Sequence, residues 1–382
     1  VPDLHSALSP IFEENFSLRG DLGASVSIWR DGRELLSLAA GFQDRQRTLP
    51  WAADTLVLVY SATKGPSAAC VLKCVFEAGI ALDAPVASVW PRFGTAGKHA
   101  ITFAELLSHR AGLAALSESV DIFDYPGVIR ALEEQPPLWS PREGHGYHPR
   151  TIGYLWDEIV RRVTGQPLGE YWRASFATPL GLDFWIGLPP ALLPRVSPMH
   201  PARSVPANDA FLEAYADTSS LTNRAFGSPA GLFSVSLMNT PKARTASFPA
   251  FGGIGSASAL AHFYSAMAGG GQENGTRLLP RDAVAAMSTR LTNGFDHVLR
   301  IESAYSAGFL QDPVGPDGKK LRWTFGPSTR AFGQIGAGGS VAFADPERGI
   351  GFAYVMNQME PGVLANAKSL LLIQRMYEIL DK

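Results

Sequence analysis

The two ends of this chain constrain its fold more than anything between them. Near the start, ASVSIWRDGRELLSLAAGFQD places two β-rich runs around Asp31-Gly32, a dipeptide suited to a tight hairpin turn. Near the finish, GGSVAFADPERGIGFAYVMNQ repeats the pattern: a strand at 340–344, a turn through Asp345-Pro346, and a second strand at 350–356. A helix over 4–18 precedes the first hairpin, and apolar positions at helical spacing predict another over about 364–380. Helix and hairpin open the chain, and hairpin and helix close it. The economical outcome is an α+β fold, with one antiparallel sheet built from both ends and flanked by the terminal helices. Residues 1–60 and 295–382 are therefore expected to form the sheet region, and 61–294 a mainly helical and irregular one.

Inside the second region, ITFAELLSHRAGL offers Thr102 as an N-cap with Glu105 three residues later, a capping-box arrangement. GYLWDEIVRRVTG reads as a helix ending at Gly165. The stretch 188–250, rich in Pro, Ser, Ala and Asn, is too long for a structureless loop and is expected to hold short helices lining a cleft. GGIGSAS at 252–258 lacks the dinucleotide-binding spacing and reads as a bend before a helix.

Bulk properties remove several function classes. With 382 residues, 46% of them hydrophobic, there is ample material for a core, and a formal charge of −2 gives no field favouring nucleic acid or an anionic membrane. No run approaches the ~18 uninterrupted apolar residues of a membrane span. VPDLHSALSPIFEENF has no basic region followed by an apolar core, so a soluble, cytoplasmic protein is expected. Cys70 and Cys74, four apart on one expected helix, are poorly placed for a disulfide and read as small buried thiols. His145 and His148 bracket Tyr147, but HGYH is not a zinc-binding helix motif, and no metal site is expected. His109 reads as a buried structural histidine, and no Gly-x-Ser-x-Gly elbow supports an α/β-hydrolase.

One segment carries chemistry. In LVYSATKGPSAACVLK, residues 58–73, a helix beginning near Ala62 puts Ser61 at its N-terminus, beside free N–H groups and the positive end of the dipole. Pro66 fits that register, since its missing N–H is harmless only in the first turn. Lys64 lies three residues on, along the same side. A neutral amine there can take the serine's proton and leave a nucleophile next to anion donors. Ser-x-x-Lys alone is a frequent chance match, and the bland alternative is a capping serine with a solvated lysine.

Further motifs follow in order: LLSHRAGL at 106–113, GYHPRTIGYL at 146–155 and FGQIGAGGSVAFADP at 332–346. Together with SATK the set resembles the serine β-lactamase-like superfamily, and most closely the family VIII carboxylesterases related to class C β-lactamases. The resemblance implies an antiparallel sheet flanked by helices plus a mainly helical region, with the site at their junction. It implies Ser61 as nucleophile, Lys64 as its proton acceptor and Tyr147 as the phenol that shuttles protons with that lysine. A nearby lysine cation would make the phenol acidic, and desolvation would let the lysine lose its own proton. The third motif aligns on Gln334, Ile335 and Gly336, which assigns the oxyanion hole to the backbone N–H groups of Ser61 and Ala337. Gly336 and Gly338 would let the strand approach substrate, with Gln334 and His148 as further substrate contacts.

Two departures bear on substrate. A β-lactamase holds a carboxylate with the cation of its third motif, yet Gln334 is neutral. It holds an acylamido group with an asparagine two places after the tyrosine, yet Pro149 stands there. Neutral acyl esters need neither contact. The expectation is a cofactor-independent serine esterase for small-molecule esters of short to medium acyl chains. The alternatives are a β-lactamase or D-alanyl-D-alanine carboxypeptidase, and, more remotely, a catalytically silent scaffold. Trp139, Trp185, Phe123, Tyr125 and Phe251 are candidates for an apolar acyl pocket. The oligomeric state is not legible.

Overall fold

The computed structural model describes residues 3–203 and 209–381. Its centre is an eight-stranded antiparallel sheet built from β1 (Gly23–Arg30), β2 (Arg33–Gly41), β3 (Thr292–Phe295), β4 (Glu302–Tyr305), β5 (Leu310–Gln311), β6 (Phe332–Ile335), β7 (Val341–Asp345) and β8 (Ile350–Met356). The spatial order is β2-β1-β8-β7-β6-β5-β4-β3, so the first strand of the chain pairs with the last. Asp31 (φ +52°) and Gly32 (φ +71°) make the tight turn between β1 and β2, as their types dictate. Helix α1 (Leu4–Ser17) packs on the C-terminal helix Ala367–Leu380. The latter starts three residues later than expected because Asn366 caps it, accepting from the Lys368 N–H at 3.1 Å.

Three more helices place the site: α2 (Lys64–Glu77), α3 (Thr151–Thr164) and α4 (Ala257–Ala268), the C-terminal helix becoming α5. α2 packs on α3, and Gly165 (φ +77°) ends α3 as the sequence predicts. Thr102 and Glu105 form the expected capping box. The stretch 188–250 carries short helices at Ala210–Ala216, Leu221–Gly227, Val235–Met238 and Pro241–Thr245, its residues 204–208 lying outside the described ones. Cys70 and Cys74 are buried free thiols. Among the described residues no helix is long and apolar enough to cross a membrane.

Two expectations need correction. GGIGSAS is not merely a bend: Gly253–Gly255 is the central strand of a three-stranded sheet, between Val57–Leu58 and Phe184–Ile186. Glycine serves there because a Cβ on Gly253 or Gly255 would fall 2.5 Å from the Phe184 ring. The expected regional division also misplaces α4, which lies in the nominally helical part but packs across β8, β1 and β7.

The α4 contact has a testable requirement. A Cβ on Gly351 of β8 would lie 2.0 Å from the Ala261 carbonyl oxygen and 2.3 Å from the Ser265 nitrogen, both backbone atoms of α4. Gly351→Ala is expected to lower stability by about 1–3 kcal/mol, the usual cost of overpacking a tight contact. A urea melt checks this, and an unchanged midpoint would contradict the close packing.

Candidate active site

The turn that carries Ser61 is held from below. The chain leaves the short strand Val57–Leu58, passes through Tyr60 at φ +46° and enters a 3₁₀ turn over Tyr60–Thr63 that runs into α2. Thr63 Oγ1 donates to the Tyr60 carbonyl at 2.5 Å and accepts from the Gly253 N–H at 2.7 Å. A left-handed conformation at a tyrosine is strained, and these two bonds help hold it. The α-helix proper begins at Lys64 rather than near Ala62, so Ser61 stands on a tight lead-in turn before the positive end of α2.

Lys64 is fully buried. Its Nζ lies 3.2 Å from Ser61 Oγ, 2.8 Å from the Pro149 carbonyl oxygen and 2.9 Å from that of Ala250. Among the described residues it forms no ion pair. Burial drives its pKa well below the ordinary lysine value. With two N–H groups directed at carbonyls, the position facing Ser61 is where a neutral amine carries its lone pair.

Tyr147 closes the triangle. Its ring centroid is 4.7 Å from Lys64 Nζ, and both it and Ser61 line the same cavity. Burial pushes the phenol pKa up, the nearby Ser61 hydroxyl opposes that, and the Asp296 charge adds to it. The same desolvation thus acts on both members of the pair, lowering the lysine pKa and raising that of the phenol.

Sequence reasoning missed Asp296. This buried carboxylate accepts from the Tyr147 N–H at 3.0 Å, the Val298 and Leu299 N–H groups at 2.9 and 2.8 Å, Ser303 Oγ at 3.0 Å and the Tyr305 hydroxyl at 2.9 Å. It fixes the backbone on which Tyr147 stands. The only signal was a single acid in the otherwise non-acidic stretch NGFDHVLRI. Arg150 was missed too; its guanidinium donates to the carbonyls of Pro229, Gly231 and Leu232 at 3.0, 2.7 and 3.3 Å, tying the tyrosine loop to the 229–232 segment.

The histidines are framework. His148 Nε2 accepts from the Leu113 N–H at 2.9 Å, which leaves Nδ1 to donate to the Gly146 carbonyl at 2.6 Å. Burial pushes its pKa down to about 3. The His148 N–H in turn donates to His109 Nδ1 at 3.1 Å. His148 lines neither cavity that meets Ser61, so the expectation of a substrate contact is corrected to a structural one.

The third motif reaches the Ser61 turn through its backbone. A Cβ on Gly336 would lie 2.1 Å from the Val59 carbonyl oxygen, so β6 ends directly against the chain entering the Ser61 turn. Gly338 and Gly339 turn the chain back at φ +91° and +123°. Gly336, Gly338 and Gly339 N–H groups bond to the carbonyls of Ser340, Gly362 and Gly336, while the Ala337 N–H takes part in no such backbone bond among the described residues. The Gln334 side chain is buried and donates to the Gly308 carbonyl at 2.9 Å, holding strands together.

Ser61 and Ala337 lie on the wall between two cavities. The narrower is lined by Tyr147, Leu299, Tyr305, Leu310, Gln334 and Ile335, and the roomier by Tyr60, Arg150, Tyr215, Leu232, Phe233 and Met238. Of the five candidate pocket aromatics only Phe251 lines either one. Arg322 stands on the narrow cavity's wall, a cation that the neutral third motif did not foretell.

The comparisons agree with this geometry. The family model described as Beta-lactamase matches residues 12–375. The esterase/beta-lactamase LipL of Mycobacterium tuberculosis is 30% identical over 348 residues, 88% of this chain and 77% of its own. A family VIII carboxylesterase structure superposes with a TM-score of 0.87 at 32% identity, covering 99% of this chain and 98% of that one. A penicillin-binding protein homologue from Caulobacter crescentus gives 0.88 at 34% identity, again with 99% and 98% covered. The chain is thus a serine hydrolase-type member of the beta-lactamase family, with esterases among its relatives.

Proposed function

We propose that the protein hydrolyses carboxylic esters of small molecules through an acyl-enzyme on Ser61. The observation that carries this reading is the meeting of one hydroxyl, one desolvated amine and one phenol at the wall shared with Ala337. Ser61 Oγ attacks the ester carbon as its proton passes to Lys64 Nζ. The Ser61 and Ala337 N–H groups receive the oxyanion. As the intermediate collapses, the alcohol takes a proton relayed through Tyr147. Water then enters, the same pair removes its proton, and the acid is released with Ser61 restored. Esterases among the relatives support the substrate class.

A second reading, hydrolysis of β-lactams, is favoured by one observation: Arg322 supplies a cation to the narrow cavity despite the neutral Gln334. Two assays separate them. p-Nitrophenyl butyrate is expected to be cleaved faster than a coloured cephalosporin, and the reverse order would make the second reading the better one. Fluorophosphonate labelling is expected on the native protein and absent from Ser61→Ala; persistence of the label in the variant would remove Ser61 as nucleophile.

The pKa directions give a pH profile. Activity needs Lys64 unprotonated, and its pKa is lowered, so kcat/KM rises with pH through an ionisation well below the ordinary lysine range. It then stays level, because the raised Tyr147 pKa keeps the phenol protonated. An ascent found only near the ordinary lysine value of about 10.4 would exclude Lys64 as base. Tyr147→Phe is expected to lower kcat by about 10²–10⁴-fold, the usual contribution of a positioned acid–base group.

Gly336→Ala tests the backbone donor. The added methyl, 2.1 Å from the Val59 oxygen, must push Ala337 off its position. Loss of one oxyanion donor should cost about 10²–10³-fold in kcat. Full activity in a folded variant would take Ala337 out of the mechanism.

A further inference from the structure

The narrow cavity at Ser61 shares a wall with a groove that the mechanism does not use. Arg322, Thr324 and Leu364 line both. Beyond them the groove offers about 650 Å³ of open space, bounded by Trp323, Leu370, Ile373 and Tyr377 and, on its polar side, by Glu378 and Asp381. That lies within the ~300–1,000 Å³ usual for a small-molecule site. Trp323 is 63% exposed and Leu364 39%, large apolar side chains left in water at one place.

The wall is rigidly built. Asp312 accepts from the Thr324 and Phe325 N–H groups at 3.1 and 3.0 Å and pairs with Lys320 at 2.7 Å. Arg322 Nη2 donates to the Glu302 carbonyl at 2.6 Å. Gly326 sits so close to α5 that a Cβ there would fall 1.9 Å from the Tyr377 ring.

The two cavities at Ser61 differ in a way that assigns the groove an occupant. The narrow one leaves about 40 Å³ open and the roomier one about 190 Å³. During turnover the alcohol must leave and water must enter, which suits the roomier side. The acyl group stays on Ser61 until the second step, which suits the closed side, and only that side borders the groove. We propose that the groove receives the distal hydrocarbon of the substrate's acyl chain, which passes from Ser61 along Leu364. This rests on the ester-hydrolase reading and deepens it, naming unbranched aliphatic acyl groups longer than butyryl as a substrate class.

The test compares p-nitrophenyl butyrate with p-nitrophenyl decanoate on the native protein, Ala365→Trp and Leu370→Trp. Both sites are half-buried groove positions. Each buried methylene is worth about four-fold, so filling the groove should cut decanoate kcat/KM by at least ~10-fold and butyrate by no more than about two-fold. Equal losses on both esters, or no loss in either variant, would overturn the assignment. A second readout is independent of turnover. On Ser61→Ala, the fluorescent fatty acid cis-parinarate is expected to bind, to be displaced by decanoate but not butyrate, and to bind poorly once Ala365→Trp is added. Butyrate hydrolysis without such binding refutes the groove alone. Binding without hydrolysis of either ester by the native protein refutes the ester reading, and the acyl occupant with it.

Discussion

The desolvation of one amine organises this site. Lys64 is wholly buried, and its hydrogen bonds go to Ser61 and to the backbone carbonyls of Pro149 and Ala250. Those residues come from three distant segments: the lead-in to α2, the loop before α3, and the approach to the short strand Gly253–Gly255. Carbonyl dipoles orient the amine without the full charge of a carboxylate partner, which would hold the proton on it. The acid nearest to the tyrosine loop, Asp296, directs its charge into N–H and hydroxyl donors instead. Negative charge builds the site, yet it is kept off the Lys64 amine.

The sheet does the rest by topology. Pairing β1 with β8 closes the two ends of the chain into one body, and this carries β6 from near the C-terminus to the Ser61 turn. The junction is a backbone contact, Gly336 against Val59, that no side chain larger than hydrogen would permit. Ser61, from the first fifth of the chain, thereby shares a cavity wall with Ala337, from its last fifth.

What could be read in advance was what local rules encode. Asp31-Gly32, the Thr102–Glu105 box and Gly165 each satisfy a backbone demand within a few residues, and each appears where the sequence puts it. Ser61, Lys64, Tyr147 and the third motif were legible as an ordered set of motifs, and the structure brings them together. Asp296, Arg150 and Arg322 were not. Arg150 and Arg322 bond to carbonyls of distant segments. Asp296, though it also bonds its near neighbours Val298 and Leu299, matters through Tyr147, 149 residues away. None of those long-range links can be read from adjacent residues. His148 misled for the converse reason. A polar ring beside a candidate catalytic residue reads as a ligand contact, whereas its two nitrogens are occupied by Leu113 and Gly146.

The same distinction explains why substrate class was the hardest inference. Gln334 is neutral, and from that the sequence argued against a substrate anion. In the fold its amide is committed to Gly308, while Arg322 reaches the same cavity from a different loop. Charge at a binding site belongs to the cavity wall as a whole, not to the motif that happens to supply it elsewhere. Here the cation stands at the border with an apolar groove, where its aliphatic stem can cover hydrocarbon while its head bonds to the Glu302 carbonyl. A wall of that kind can lie against a neutral chain and still offer a positive edge.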